Sequence, residues 1–291
     1  MGRALIVLAC CTRAFALNPD LDISQYAHKA WTIRGGFFKG RMAAIAQTPD
    51  GYLWLCTEFG LLLFDGIRTR PGEPPSGEHL NSDNIRDLFT SPDGTLWIGT
   101  TNELVSWKDG KLTRYPELAG RGIYHIFEDR EGTIWTGGFE TTAARICAIR
   151  QGSVRCYGQN NEFGSGASSW YEDANGNLWV GFLKGLWRWK PGPPKFSPVP
   201  GLHNGIESIK DGGNGALLLS TDRGIERFID GKLEPVLPDA PAGYRGRALL
   251  HDRDSGLWIG TDQFGIFHQH RGRADRFAPS DGLSGRRLRS L

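Results

Sequence analysis

A short phrase recurs along this chain at a nearly fixed interval, and it limits the fold more than any other feature. Asp50-Gly51-Tyr52-Leu53-Trp54-Leu55-Cys56-Thr57 returns as Asp93-Gly94-Thr95-Leu96-Trp97-Ile98-Gly99-Thr100 and as Glu131-Gly132-Thr133-Ile134-Trp135-Thr136-Gly137. It returns again as Asn175-Gly176-Asn177-Leu178-Trp179-Val180-Gly181 and Asp254-Ser255-Gly256-Leu257-Trp258-Ile259-Gly260-Thr261. Between these last two lies a worn copy, Asn214-Gly215-Ala216-Leu217-Leu218-Leu219-Ser220-Thr221, which has lost its tryptophan. Positions 54, 97, 135, 179, 218 and 258 are spaced by 43, 38, 44, 39 and 40 residues. A second ladder, Gly66, Gly110, Gly152, Gly192, Gly231 and Gly272, keeps the same period. A period of 20 to 50 residues means a repeat architecture.

Within one unit the pattern is four short strands. Ile85 to Phe89 alternates, Pro92-Asp93-Gly94 turns the chain, and Leu96 to Gly99 follows. Leu104 to Trp107 comes next, then an Asp109-Gly110 hairpin, and Leu112 to Tyr115 closes the unit. Asp-Gly is the dipeptide that tight hairpins favour. No segment sustains a helical period. Four antiparallel strands per ~40 residues, repeated, is the arithmetic of an all-β fold, a β-propeller of four-stranded blades. A β-sandwich would give strands and turns without the fixed period. The 40 glycines and 10 tryptophans of the 291 residues suit many tight turns between aromatic-rich strands.

These residues resemble the two-component regulator propeller repeat, whose pattern runs roughly D-x-x-G-x-L-W-[ILV]-G-T, a short loop, then G-L-x-x-[FY]. The opening Tyr26-Ala27-His28-Lys29-Ala30-Trp31, with Ile45 to Trp54 after it, is similar to the start of such sensor propellers. The resemblance spans about residues 24 to 291. Glu103 departs from it where Gly60, Gly185, Gly224 and Gly265 supply a loop glycine, and Leu218 departs from it in place of tryptophan. First strands are expected to start near 42, 85, 123, 167, 206, 248 and 286 to 288, which gives six complete blades plus a partial seventh. Residues 24 to 33 read as an N-terminal closing strand of that seventh blade, since ring propellers remove exposed edges in this way. The chain then reads as a piece of a longer protein. A six-bladed ring with loose ends is the alternative.

The start of the chain reads as a leader. Met1-Gly2-Arg3, the apolar run Ala4 to Cys11 and Ala14-Phe15-Ala16 are the parts of a secretory signal over residues 1–16, which leaves the propeller on 17–291. Val7-Leu8-Ala9-Cys10 offers a lipoprotein cleavage site instead. The expected location is periplasmic or otherwise extracytoplasmic. Lys and Arg number 34 against 32 Asp and Glu, for a net charge of +2, which argues against a nucleic-acid partner held by phosphate neutralisation. Beyond the leader no apolar run is long enough to span a bilayer, so membrane attachment would come only through further segments. Cleavage would leave Cys56, Cys147 and Cys156. A hairpin with Gln151-Gly152 at its tip sets Cys147 opposite Cys156 at a spacing a disulfide can bridge. Two buried thiols sharing an apolar face with Ile149 and Val154 are the other outcome.

Most conspicuous residues read as structural. The tryptophans pack neighbouring sheets and the Asp-Gly pairs form turns. Asp173-Ala174-Asn175-Gly176-Asn177 superficially resembles a calcium loop, but its glycine comes too early and no glutamate follows at the twelfth place. His268 and His270 share a strand face and read as exposed strand histidines rather than metal ligands. No metal, no cofactor and no catalytic group is assigned. In such a ring the loops between second and third strands, and those joining blades, gather on one face around the central channel, where a rigid scaffold carries binding residues. The ligand-binding candidates there are Phe38, Arg41, Glu58, Phe59, Asn102, Tyr124, Phe139, Trp170, Phe182, Arg223, Arg247, Gln263 and Phe264. Aromatic rings beside Asn, Gln, Glu and Arg suit a small molecule or an oligosaccharide.

The resemblance implies an extracytoplasmic ligand-sensing propeller, the input part of a two-component regulator whose longer form carries a histidine kinase and pairs as a homodimer. This chain itself is then expected to bind and not to catalyse. The alternatives are a secreted propeller enzyme, similar to a lyase, and a protein-interaction scaffold.

Overall fold

The computed structural model describes residues 35–283, apart from 38–39, 74–76, 139–144, 159–162, 164–165, 191–192, 238–243, 253–254 and 282. The expected leader, the closing strand at 24–33 and the partial seventh repeat from 286 lie outside these residues. Six four-stranded antiparallel sheets follow one another in chain order as a six-bladed β-propeller. Blade one is β1 (Met42–Gln47), β2 (Leu53–Thr57), β3 (Gly60–Phe64) and β4 (Thr69–Pro71). Blade two is β5 (Ile85–Thr90), β6 (Leu96–Thr100), β7 (Leu104–Lys108) and β8 (Lys111–Arg114). Blade three is β9 (His125–Glu128), β10 (Ile134–Gly137), β11 (Ile146–Arg150) and β12 (Ser153–Tyr157). Blade four is β13 (Ser169–Glu172), β14 (Leu178–Phe182), β15 (Gly185–Lys190) and β16 (Lys195–Pro198). Blade five is β17 (Ser208–Asp211), β18 (Leu217–Thr221), β19 (Gly224–Ile229) and β20 (Lys232–Pro235). Blade six is β21 (Gly246–His251), β22 (Leu257–Thr261), β23 (Ile266–His270) and β24 (Arg273–Phe277).

The repeated tryptophan does two jobs. Its ring packs within and between sheets, as in the cluster of Trp135, Trp170, Trp189 and Phe163 between blades three and four. Its indole N–H fastens the turn that precedes it, always onto the residue six positions earlier. Trp54 donates to Thr48 at 3.1 Å, Trp97 to Ser91 at 2.9 Å and Trp135 to Asp129 at 2.8 Å. Trp179 donates to Asp173 at 2.9 Å and Trp258 to Asp252 at 3.1 Å. In blade five donor and acceptor are lost together, because Leu218 is preceded six residues earlier by Gly212. No buried polar group is left unpaired by the change, which is why the worn copy still folds.

The glycine that follows the phrase has a separate cause. A Cβ on Gly99 would sit 2.7 Å from the carbonyl oxygen of Ile123, and one on Gly137 would sit 2.7 Å from the Cβ of Ala167. Each glycine lets the second strand of one blade approach the chain entering the next. The hairpins between third and fourth strands are as expected: Asp109, Gln151, Asp230 and Arg271 have φ of 49° and a positive-φ glycine follows each. The Gln151-Gly152 hairpin pairs Arg150 with Ser153, Ile149 with Val154 and Cys147 with Cys156. The two cysteines are joined as a disulfide with Cα atoms 4.1 Å apart. Cys56 stays a buried thiol, and desolvation raises its pKa to about 12.

Consecutive inner strands pack from β1 through β5, β9, β13 and β17 to β21, and among the described residues no comparable packing joins β21 to β1. Ile45 on β1 and Leu250 on β21 are exposed.

Candidate functional site

The loop face is assembled by threonines. Thr57, Thr100, Thr221 and Thr261 end their second strands fully buried. The hydroxyls of Thr57, Thr100 and Thr261 donate to a carbonyl three or four residues on, that of Thr221 donates to the Glu226 carboxylate at 2.9 Å, and each accepts the amide of a loop residue (Phe59, Asn102, Arg223 or Phe264). This local bonding holds each tip in a fixed turn. The tips present Glu58 and Phe59, Asn102, Arg223, and Gln263 with Phe264.

Phe59 is 66% exposed, the Arg41 amide donates to Glu58 at 3.4 Å, and Asn102 and Gln263 are exposed. Asn102 also uses its carbonyl to accept the Gly120 amide at 2.7 Å. Tyr124 lies under the Arg86 guanidinium at 5.4 Å, and Phe264 lies under that of Arg276 at 5.5 Å. Arg223 is spent on Glu226, at 3.0 Å, and on the Pro200 carbonyl, at 2.8 Å. Arg247 bridges Asp262 at 2.7 Å and Glu207 at 2.5 Å. The hydrogen bond to Asp262 leads in raising its pKa, against the effect of burial. Trp170 and Phe182 are corrections, because both are buried in the core between blades three and four rather than set at the channel mouth. Phe38 and Phe139 fall outside the described residues.

Other residues carry more than their sequence context suggested. Glu103, at the loop-glycine position, is buried and accepts both the amide and the side-chain N–H of Asn81, at 2.7 and 2.8 Å, with Arg114 at 3.6 Å. It ties the chain entering blade two to that blade's loop. Asp173 spends both carboxylate oxygens on the amides of Asn175 and Asn177, the Asn177 side chain and the Trp179 indole, so it is a turn device. His268 is buried rather than exposed, stacked on Trp258 with centroids 4.1 Å apart and 3.0 Å from Asp252.

Asp87, His125 and Lys210, all on inner strands, are perturbed by burial. Desolvation raises Asp87 from 3.8 to about 7 and lowers His125 from 6.5 to about 4, and it lowers Lys210. Asp87 accepts the Ile126 amide of the next blade at 2.7 Å. A carboxyl with a raised folded pKa stabilises less as pH climbs, because the unfolded state releases its proton first. His125 has the opposite effect over much of the same window, so the test is a difference. The stability of Asp87→Asn relative to the parent chain is expected to improve steadily from pH 4 to about 7 and then level off. Paired thermal melts across that range measure it, and a flat difference would refute the raised pKa.

Residues 79–102, which run from the entry of blade two through its second strand and loop, match the family model described as two component regulator propeller. The chain carries a two component regulator propeller repeat. No protein of curated function matches its sequence. Among solved structures it is similar to the extracellular domain of BT3049 from B. thetaiotaomicron, described as a hybrid two component system, with TM-score 0.73 and 20% identity. That match covers 90% of this chain and 38% of the other, so this chain spans well under half of that domain. It is also similar to a catalytically inactive virginiamycin B lyase from Staphylococcus aureus (TM-score 0.64, 18% identity, 84% of this chain and 85% of that one). An ancestral GH74 enzyme gives TM-score 0.64 at 14% identity over 79% of this chain and 36% of its own. At these identities the likeness establishes the propeller fold alone, and regulators and enzymes share it.

Proposed function

We propose that this propeller is the ligand-sensing input region of an extracytoplasmic two-component regulator, and that its loop face takes a small molecule or oligosaccharide. The observation that carries the reading is the regulator repeat at residues 79–102 within a fold that aligns along 90% of the chain with a sensor's extracellular domain. The loop face fits such a role, since exposed Phe59, Asn102 and Gln263 stand on tips fixed by buried threonines, with exposed Arg41 at the entry of blade one. Sensing on this scheme is differential affinity: a ligand shifts a receptor only if it binds one of its states better. The apolar outer walls of blades one and six support a further element of the reading, a seventh sheet between them.

The test is a screen of soluble oligosaccharides against the full chain by thermal shift and calorimetry. Saturable stabilisation that Phe59→Ala weakens is the expected result. The near end-to-end match with the lyase makes turnover the counter-test, and conversion of a bound compound would replace sensing by catalysis.

A further inference from the structure

A second feature with the chemistry of a binding site lies away from the loop face, on the outer flank between blades one and two. A groove of about 310 Å³ is lined by Asp50, Tyr52, Trp54, Arg70, Glu73 and Trp107, with Gly72 at its back. Asp50 and Tyr52 belong to the turn between β1 and β2, at the opposite end of the blade from the Thr57 loop.

Blades two and three show why it is open, while the same register position holds Ser197, Val236 and Phe277 in blades four to six. In blade two, Tyr115 stacks on the repeat tryptophan, with its ring 5.4 Å from that of Trp97. In blade three, Tyr157, which pairs with Ile146, lies over Trp135 at 6.4 Å. The same register position in blade one is Gly72, whose amide donates to the Leu61 carbonyl at 2.8 Å. Among the described residues no tyrosine then stacks on Trp54. The space is tight at its back, since a Cβ on Gly72 would come within 2.8 Å of the Trp54 ring. Trp107 of blade two forms the second wall, edge-on to Trp54 with centroids 5.0 Å apart. Charged groups stand around this apolar floor: Arg70, held over the Tyr52 ring at 5.9 Å, with Asp50 and Glu73, all exposed.

We propose that this groove binds a sugar ring, a neutral pyranose seated where blades two and three place a tyrosine. A pyranose has the shape for it: its apolar face stacks on an indole, and its hydroxyls need donors and acceptors of both kinds at the rim. Arg70 supplies donors there, while Asp50 and Glu73 supply acceptors. One Asp50 oxygen already accepts the Thr48 hydroxyl at 2.6 Å and the Tyr52 amide at 3.3 Å, which leaves its other oxygen for a guest hydroxyl. The proposal does not rest on the sensor reading, since it concerns different residues at the other end of the blade.

The experiment uses four probes, cellohexaose, maltohexaose, mannohexaose and xylohexaose, against the full chain by saturation-transfer NMR and calorimetry. At least one is expected to bind. Gly72→Tyr, which supplies the ring that blades two and three carry, is expected to abolish binding, and Arg70→Ala to weaken it about tenfold. Phe59→Ala on the loop face should leave this binding unchanged, which separates the groove from the other site. If Gly72→Tyr does not fold, Arg70→Ala and Glu73→Gln still decide, because both side chains are exposed. Failure of all four probes at millimolar concentration overturns the proposal, and so does binding that survives these variants.

Discussion

Replacing Asp129 with alanine is expected to lower stability by about 3 kcal/mol, the lower end of what breaking a buried, hydrogen-bonded ion pair costs. The carboxylate is 3% exposed and every partner is specific. Its Oδ1 accepts the amides of Glu131 and Thr133, both at 3.0 Å, and its Oδ2 accepts the Trp135 indole at 2.8 Å. The Lys190 ammonium of blade four donates to the same Oδ2 at 2.7 Å, so one side chain holds a turn, a core ring and the neighbouring blade. Alanine would strand a half-buried ammonium whose remaining carboxylate is Glu131, at 3.6 Å. That second carboxylate is what keeps the loss at the low end. Burial raises the Asp129 pKa, but Lys190, Trp135 and the Thr133 amide more than offset it, and the net shift is downward. A depressed carboxyl contributes its stability above its unfolded pKa and loses it as pH falls through the folded one. The deficit of Asp129→Asn should therefore shrink below about pH 4. Urea titrations at pH 7 and pH 3 measure both effects, and a loss under about 1 kcal/mol at pH 7 would show that the network adds little.

The architecture was legible because it is written in local chemistry repeated six times. The Asp-Gly turns, the alternation and the period need only neighbours in sequence, and so did the Cys147–Cys156 pairing, which the two-residue turn at Gln151-Gly152 fixes. What the sequence hid depends on what packs across blades. Trp170 and Phe182 looked like channel residues, yet the faces of their strands are covered by the next sheets. Asp87, His125 and Lys210 sit half-buried on ordinary alternating strands, and only the surrounding blades desolvate them enough to shift their pKa. Glu103 looked like a defect in the loop pattern, and its function appears only when Asn81 and Arg114 arrive from elsewhere. Two signals could have been read earlier. The residue six before each tryptophan is Thr, Ser or Asp wherever the tryptophan is present, and Gly where it is lost. Gly72 likewise breaks a tyrosine position that blades two and three keep.

Two alanine substitutions at one repeat position are expected to differ severalfold in cost. Leu88→Ala should lose about 2–5 kcal/mol, as truncation of a packed leucine does, while Ile45→Ala should lose about 1 kcal/mol or less. The position is the same in every inner strand, one residue before that paired with the repeat tryptophan or, in blade five, Leu218. Leu88, Ile126, Trp170, Ile209 and Leu249 occupy it in blades two to six, none more than 9% exposed, whereas Ile45 is 41% exposed. Leu53 repeats the contrast, half-buried where Leu96, Ile134, Leu178, Leu217 and Leu257 are fully covered. The far side of blade six matches it. Leu250 is 43% exposed, and Ile266 is half-buried where Leu61, Leu104, Ile146, Leu186 and Ile225 are enclosed. These residues have core composition without core burial, on two walls that no neighbouring blade covers among the described residues, and exposed apolar surface of this kind marks an interface. Equal losses at Ile45 and Leu88 would mean that the wall of blade one is already covered in solution. A small loss at Ile45 that grows once a sheet is supplied between blades one and six would identify what the wall is for.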